Sequence, residues 1–206
     1  MNRVLILYPR ELLAYSKFQR KVDKIISRLD EVYLHFINDH HGFVEQYANE
    51  RNGKVQTEPV LAIQTADITH AILFDDGEEF VQELSELKDM GTPVRLIKIV
   101  ITRVVNIKRE SQYESLKSTP EYEYIGRGSY WGNPYSMIGG NDEGGIDDRD
   151  EVIRKFKYDF DLDLFPNKEK KELIKLEGKR LGCFCKPAAC HGDILADYLN
   201  SRDDGK

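Results

Sequence analysis

RVLIL at residues 3–7 is an apolar run with no polar alternation, the pattern of a strand covered on both faces in a parallel sheet. Residues 16–29 follow with Phe18, Val22, Ile25, Ile26 and Leu29 at helical spacing. The same alternation then recurs along the chain. Residues 32–37 (VYLHFI) read as a strand, 43–51 as a short helix with Phe43, Tyr47 and Ala48 inward, and 54–58 as a third strand before Pro59. Residues 61–66 read as a short helix and 71–74 (AILF) as a fourth strand. Residues 79–90 form a helix on Phe80, Leu84 and Leu87, ended by Gly91 and Pro93, and 94–101 is a fifth strand. Alternation of this kind implies right-handed crossovers, so the expected fold class is α/β. A Rossmann-like, mostly parallel sheet over residues 1–101 precedes a smaller α/β unit over 102–206. Ligands of such sheets bind beyond the carboxyl ends of the strands. The loops there are Tyr8-Pro9-Arg10, 39–42 with His40 and His41, and Asp75-Asp76-Gly77.

Composition narrows the partners. Across 206 residues, 32% are charged and 40% hydrophobic, an ordinary soluble balance. A net charge of −6 gives no global attraction to bulk nucleic acid or anionic membranes, although a local basic site can still hold a phosphate. No apolar run approaches 18 residues, and the first residues lack a cleavage region, so no membrane association is expected. Three closely spaced cysteines argue for a reducing compartment and against a disulfide scaffold. A cytoplasmic protein is expected.

In the second half, residues 104–108 (VVNIK) read as a strand that continues from or pairs with the first sheet, and 122–125 (YEYI) as another. The latter runs into residues 126–134 (GRGSYWGNP). Gly126 and Gly128 flank Arg127, so the backbone can approach an anion while the guanidinium forks onto it. Ser129 adds a hydroxyl, Trp131 a flat face able to stack on a ring, and Asn133 a donor and an acceptor. Residues 139–148 form a Gly- and Asp-rich loop, and Asp148 or Asp150 caps a helix on Val152, Ile153 and Phe156. A further helix over 168–176 leads to the last informative stretch.

That stretch is residues 178–195, GKRLGCFCKPAACHGDIL, which holds all three cysteines. Leu181, Cys183 and Cys185 at period 2 read as a short buried strand stopped by Pro187. Asp193 reads as the N-cap of a helix with Ile194, Leu195, Tyr198 and Leu199 on its apolar face, which places Cys190 and His191 at a helix start. Three readings stay open. Cys183, Cys185, Cys190 and His191 form a zinc shell, although C-x-C-x4-C-H is not the common spacing. Alternatively, Cys190 or His191 acts as a nucleophile or anion site at the helix end, with Asp193 beside them. In the third reading, Cys183 and Cys185 are simply small core hydrophobes.

Two resemblances add to these readings. VLILYPREL, HHGFVEQYANERNGKVQTEP, TADITHAILFDDG and GTPVRLI together resemble the SLOG superfamily, Rossmann-like domains that bind nucleotides or nucleotide-derived signals. The family's Gly-Ser-Arg after the first strand is replaced here by Tyr8-Pro9-Arg10, which keeps Arg10 as a ligand-binding candidate and loses the glycine. NIKRE, YIGRGSYWGNPY, DEVIRKFKYDF and LEGKRLGCFCKPAACHGDILADYL, in order, are similar to domain of unknown function 4326, a family frequent in phages and bacteria. That resemblance implies that the 126–134 loop and the cysteine stretch, with Lys179, belong to one site. It also implies a host-cytoplasm setting if the protein is phage-encoded. The expected function is binding, with or without transformation, of a nucleotide-derived ligand. One class is a glycosidic-bond hydrolase or transferase acting on an N-glycosidic or ADP-ribose-like substrate through Cys190 and His191. The others are a non-catalytic sponge for a signalling nucleotide and a zinc-stapled interaction module.

Overall fold

In the computed structural model, which describes residues 2–29, 31–136, 148–165 and 168–205, the chain divides into two compact units. The first holds Met1–Val100 together with Ser201–Lys206, and the second holds Ile101–Asn200.

Five strands build the sheet of the first unit: β1 (Asn2–Leu7), β2 (Val32–Phe36), β3 (Val55–Pro59), β4 (His70–Asp75) and β5 (Val94–Lys98). Their order is β3-β2-β1-β4-β5 and every pair is parallel. β1 is central, and Val4, Leu5, Ile6 and Leu7 are all buried, which is why RVLIL shows no alternation. The edge strand β3 (VQTEP) has no buried residue, as an edge permits. The crossover helices are α1 (Tyr15–Ile26), α2 (Phe43–Asn49) and α3 (Val81–Asp89). Aromatic packing secures one core, with Phe18 stacked on Phe74 at 5.3 Å and Tyr8 on Phe43 at 5.5 Å between centroids. Leu5, Leu7, Ile63, Ala71, Leu73 and Leu87 form another.

Three boundaries differ from the sequence reading. Residues 61–66 form only a 3-10 turn, Ile63–Thr65, in which Ile63 alone is buried, so the segment lacks a second apolar position to dock a helix. The helix expected from residue 79 begins at Val81, because Phe80 takes a left-handed φ of 61°. The fifth strand ends at Lys98 rather than 101.

The strand order reverses between β1 and β4, and there Tyr8 occupies the carboxyl edge. Its hydroxyl donates to Asp39 Oδ1 at 2.5 Å and accepts from the His41 N–H at 3.0 Å, and burial together with Asp39 pushes the phenol pKa up. Asp39 in turn accepts from the N–H groups of Val44 and Glu45 at the start of α2. Tyr8→Phe leaves a part-buried N–H and a carboxylate oxygen each short of one partner, and it should lower stability by about 1 kcal/mol. Hydrogen exchange of the β1 and β2 amides measures this, and unchanged protection would contradict it.

The second unit has its own sheet: β6 (Arg103–Asn106), β7 (Tyr122–Tyr124) and β8 (Arg180–Cys183), parallel in the order β6-β8-β7. The strand read at 104–108 therefore belongs to this sheet and not to the first, because its register partner is the Arg180–Cys183 segment. Helix α4 (Arg149–Asp161) is capped by Asp148, which accepts from the Glu151 N–H at 2.8 Å. The segment read as a helix over 168–176 is a 3-10 helix, Lys170–Leu176, and α5 (His191–Asn200) closes the unit. Ile125, Trp131, Phe156, Phe160, Leu181, Leu195 and Leu199 pack one core. The two ends of the unit are clasped: the Thr102 N–H donates to Asn200 Oδ1 at 2.9 Å, and Asn200 Nδ2 donates to the Thr102 carbonyl at 3.0 Å. The segment after Asn200 pairs with α1 through Asp203 to Arg20 (2.6 Å) and Asp204 to Lys17 (3.0 Å). No helix among the described residues is long and apolar enough to cross a membrane.

Candidate functional site

Strand β8 delivers Cys183 to its carboxyl end, and the chain passes Cys185 and Pro187 before returning Cys190 at the start of α5. Asn106 at the end of β6 pins this loop by donating through Nδ2 to the carbonyl of Lys186. As a result, three sulfurs separated by up to seven positions in sequence lie within 4.8 Å of one another. Cys183 Sγ is 3.5 Å from Cys185 Sγ, and the Gly192 N–H points at Cys190 Sγ at 3.4 Å. All three thiols are free of disulfides.

The thiols do not share one acidity. Hydrogen bonding from the Cys190 thiol brings the Cys183 pKa down to about 5 despite burial. The same bond, together with burial, pushes the Cys190 thiol up, and burial pushes Cys185 up. The shared hydrogen bond therefore favours the thiolate form at Cys183 over Cys185 and Cys190. Burial also lowers the pKa of His191, so its ring stays neutral at pH 7. His191 Nε2 lies 3.0 Å from the Ile125 carbonyl, and a carbonyl can only accept, so that nitrogen carries the proton. Nδ1 is then the lone-pair nitrogen, 3.7 Å from Cys190 Sγ.

A cavity of about 160 Å³ opens over these groups, lined by Arg127, Asn133, Arg149, the three cysteines and His191 among others. That is room for roughly five waters, so a phosphate or a sugar fits inside and a larger ligand must extend through the mouth. The loop that delivers Arg127 depends on two glycines. Gly128 takes a left-handed φ of 83°, and a Cβ at Gly132 would stand 2.5 Å from the backbone carbonyl of Gly126. Arg127 is exposed, with no hydrogen bond or ion pair to any other described residue, and its pocket neighbour Arg149 donates to the Ala189 carbonyl at 3.2 Å.

The remaining residues singled out from the sequence take varied places. Asn133 lines the cavity with both ends of its amide engaged, donating to the Val152 carbonyl and accepting from the Tyr135 N–H. Trp131 is buried in the core, set edge-on to Tyr130, and is not part of the cavity wall. Ser129 Oγ is buried without a hydrogen-bond partner among the described residues. Lys179 pairs with Glu123 at 3.0 Å and lines a separate hollow with Trp131. Asp193 lies inside the first turn of α5 and is not its N-cap. Its carboxylate reaches back to the Cys190 N–H at 3.0 Å and pairs with Lys186 at 2.6 Å, the position of a capping-box acid. The Gly- and Asp-rich loop read over residues 139–148 lies, up to residue 147, outside the described residues. Arg149 and Asn106 were not anticipated. Arg149 opens a helix 22 residues beyond Arg127, and in the sequence it reads only as one of many charges.

Comparison with known proteins places both halves. The model of the Minimal SLOG domain matches residues 1–105. The chain belongs to the minimal SLOG family. A second model, Domain of unknown function (DUF4326), matches residues 105–201. An Enterobacteria phage T4 protein described as an uncharacterized 12.4 kDa protein in the nrdA-td intergenic region is 43% identical over 77 residues. The match covers 37% of this chain and 65% of the phage protein, so the chain spans less than two thirds of that relative. No solved structure matches. In the minimal SLOG half, Arg10 is exposed and its carbonyl lies 2.5 Å from His41 Nε2, while Tyr8 is buried. His40 is exposed beside Tyr8.

Proposed function

We propose that the second unit binds a nucleotide-derived ligand, with its anionic group held between Arg127 and Arg149 and its remainder extending through the cavity mouth. The observation that carries this reading is that two arginines, Arg127 and Arg149, line one cavity in a chain of net charge −6. Guanidinium forks match phosphate oxygens, and Arg127 is exposed and bonds no other described residue, which leaves its donors facing a ligand. The minimal SLOG half supports the same ligand class through its Rossmann-like sheet.

Binding without turnover is the favoured form. Asp193 is committed to Lys186 and the Cys190 N–H and does not orient His191, so no acid-base pair is assembled over the cysteines. Calorimetric titration with NAD, ADP-ribose, cyclic nucleotides and nucleoside monophosphates tests the reading. At least one should bind, and Arg127→Lys should weaken it about tenfold because the ammonium keeps charge and loses the fork. Absence of binding by every member of the panel at millimolar concentration overturns it.

A further inference from the structure

Three sulfurs, one at the end of β8 and two on the connection to α5, packed together on one cavity wall, are more than a core needs. A lone buried cysteine behaves as a small hydrophobe, but a trio within 4.8 Å is a preformed set of soft ligands. We propose that Cys183, Cys185 and Cys190 bind one zinc ion, with the fourth coordination position facing the cavity.

The geometry fits. A tetrahedral zinc with Zn–S bonds of about 2.3 Å sets its sulfurs about 3.8 Å apart. The Cys183 and Cys185 sulfurs are 3.5 Å apart, and no pair exceeds 4.8 Å, so small side-chain rotations bring all three to bonding distance. The surroundings also suit a thiolate site. The Gly192 N–H directed at Cys190 Sγ is an outer-shell donor to the ligand sulfur, and Asn106 fixes the Phe184–Lys186 segment between the second and third ligands. All three cysteines line the cavity wall, so the open position is reachable by water or by a donor atom of a bound molecule. His191 is not among the ligand atoms that lie within 4.8 Å of one another, although its Nδ1 is 3.7 Å from Cys190 Sγ. Binding forms three Zn–S bonds and releases the thiol protons to solvent, with no change of oxidation state. The zinc assignment rests on the sulfur geometry alone and is independent of the nucleotide reading.

The test uses the full chain, purified under reducing conditions without chelator, dialysed, and analysed for metals by mass spectrometry. One equivalent of zinc per chain is expected, falling to less than a tenth in Cys185→Ser, whose half-buried side chain tolerates the change best. Cobalt substitution of the metal-free wild-type protein should give the near-ultraviolet thiolate charge-transfer band and tetrahedral visible bands. This readout does not depend on any variant folding. Substoichiometric zinc combined with failure of cobalt to produce those bands overturns the proposal, as does stoichiometric iron or copper in place of zinc.

Discussion

His191→Ala should destabilise the second unit by about 3 kcal/mol. The imidazole is 5% exposed, packs edge-on against Phe156 at 5.0 Å, and engages the Ile125 carbonyl at 3.0 Å. Truncation therefore opens a void in the Phe156–Leu195 core and leaves a carbonyl acceptor without its donor, two costs that add. Trp131 is the only tryptophan in the chain and lies in that core, so its fluorescence during urea unfolding reports this unit. A lower midpoint with an unchanged slope is the expected result. A midpoint within error of the wild type would show that the imidazole is not a structural anchor, and its proximity to Cys190 would then call for a chemical explanation.

The second large effect is on binding. Arg127→Ala with Arg149→Ala removes both guanidiniums from one cavity, and each charge-assisted bond to phosphate contributes about 1.5–3 kcal/mol. The double variant should lose about 10²- to 10⁴-fold in affinity for whichever nucleotide binds the wild type. The Trp131 unfolding midpoint should shift little, because Arg127 is exposed and Arg149 gives up contacts at the cavity wall, to the Ala189 carbonyl and the Cys185 thiol, and none in the core. The wild-type affinity should also fall as salt rises, since exposed guanidiniums are screened. Unaltered affinity in the double variant would place the ligand elsewhere, with the carboxyl edge of the first sheet the next candidate.

The fold was legible where burial on both faces erased polar alternation. RVLIL and AILF read directly as central parallel strands, and the spacing of Phe18, Val22 and Ile26 read directly as a docked helix. Legibility failed where a single residue decides. Leu61 looks like the first apolar position of a helix but is fully exposed, and Phe80 adopts a left-handed turn that no periodicity announces. Assigning VVNIK to the wrong sheet has a similar cause, because pairing with a strand some 75 positions away leaves no local mark. In the cavity, chemistry-bearing types such as Arg127 and the cysteines were visible, whereas Arg149 and Asn106 were not. Their roles come from tertiary placement, and an arginine at a helix start or an asparagine at a strand end is ordinary until the fold aims it.

The Thr102–Asn200 clasp carries a consequence for how such chains are assembled. Because the second unit begins and ends at one hydrogen-bonded point, it is a cassette with adjacent entry and exit, inserted between Val100 and Ser201 of its host. Termini held together are the condition under which a domain can be spliced into a surface connection, excised or circularly permuted without pulling the host's ends apart. The architecture is modular in the engineering sense: residues 101–200 form one continuous stretch of chain that holds both the cavity and the thiol cluster.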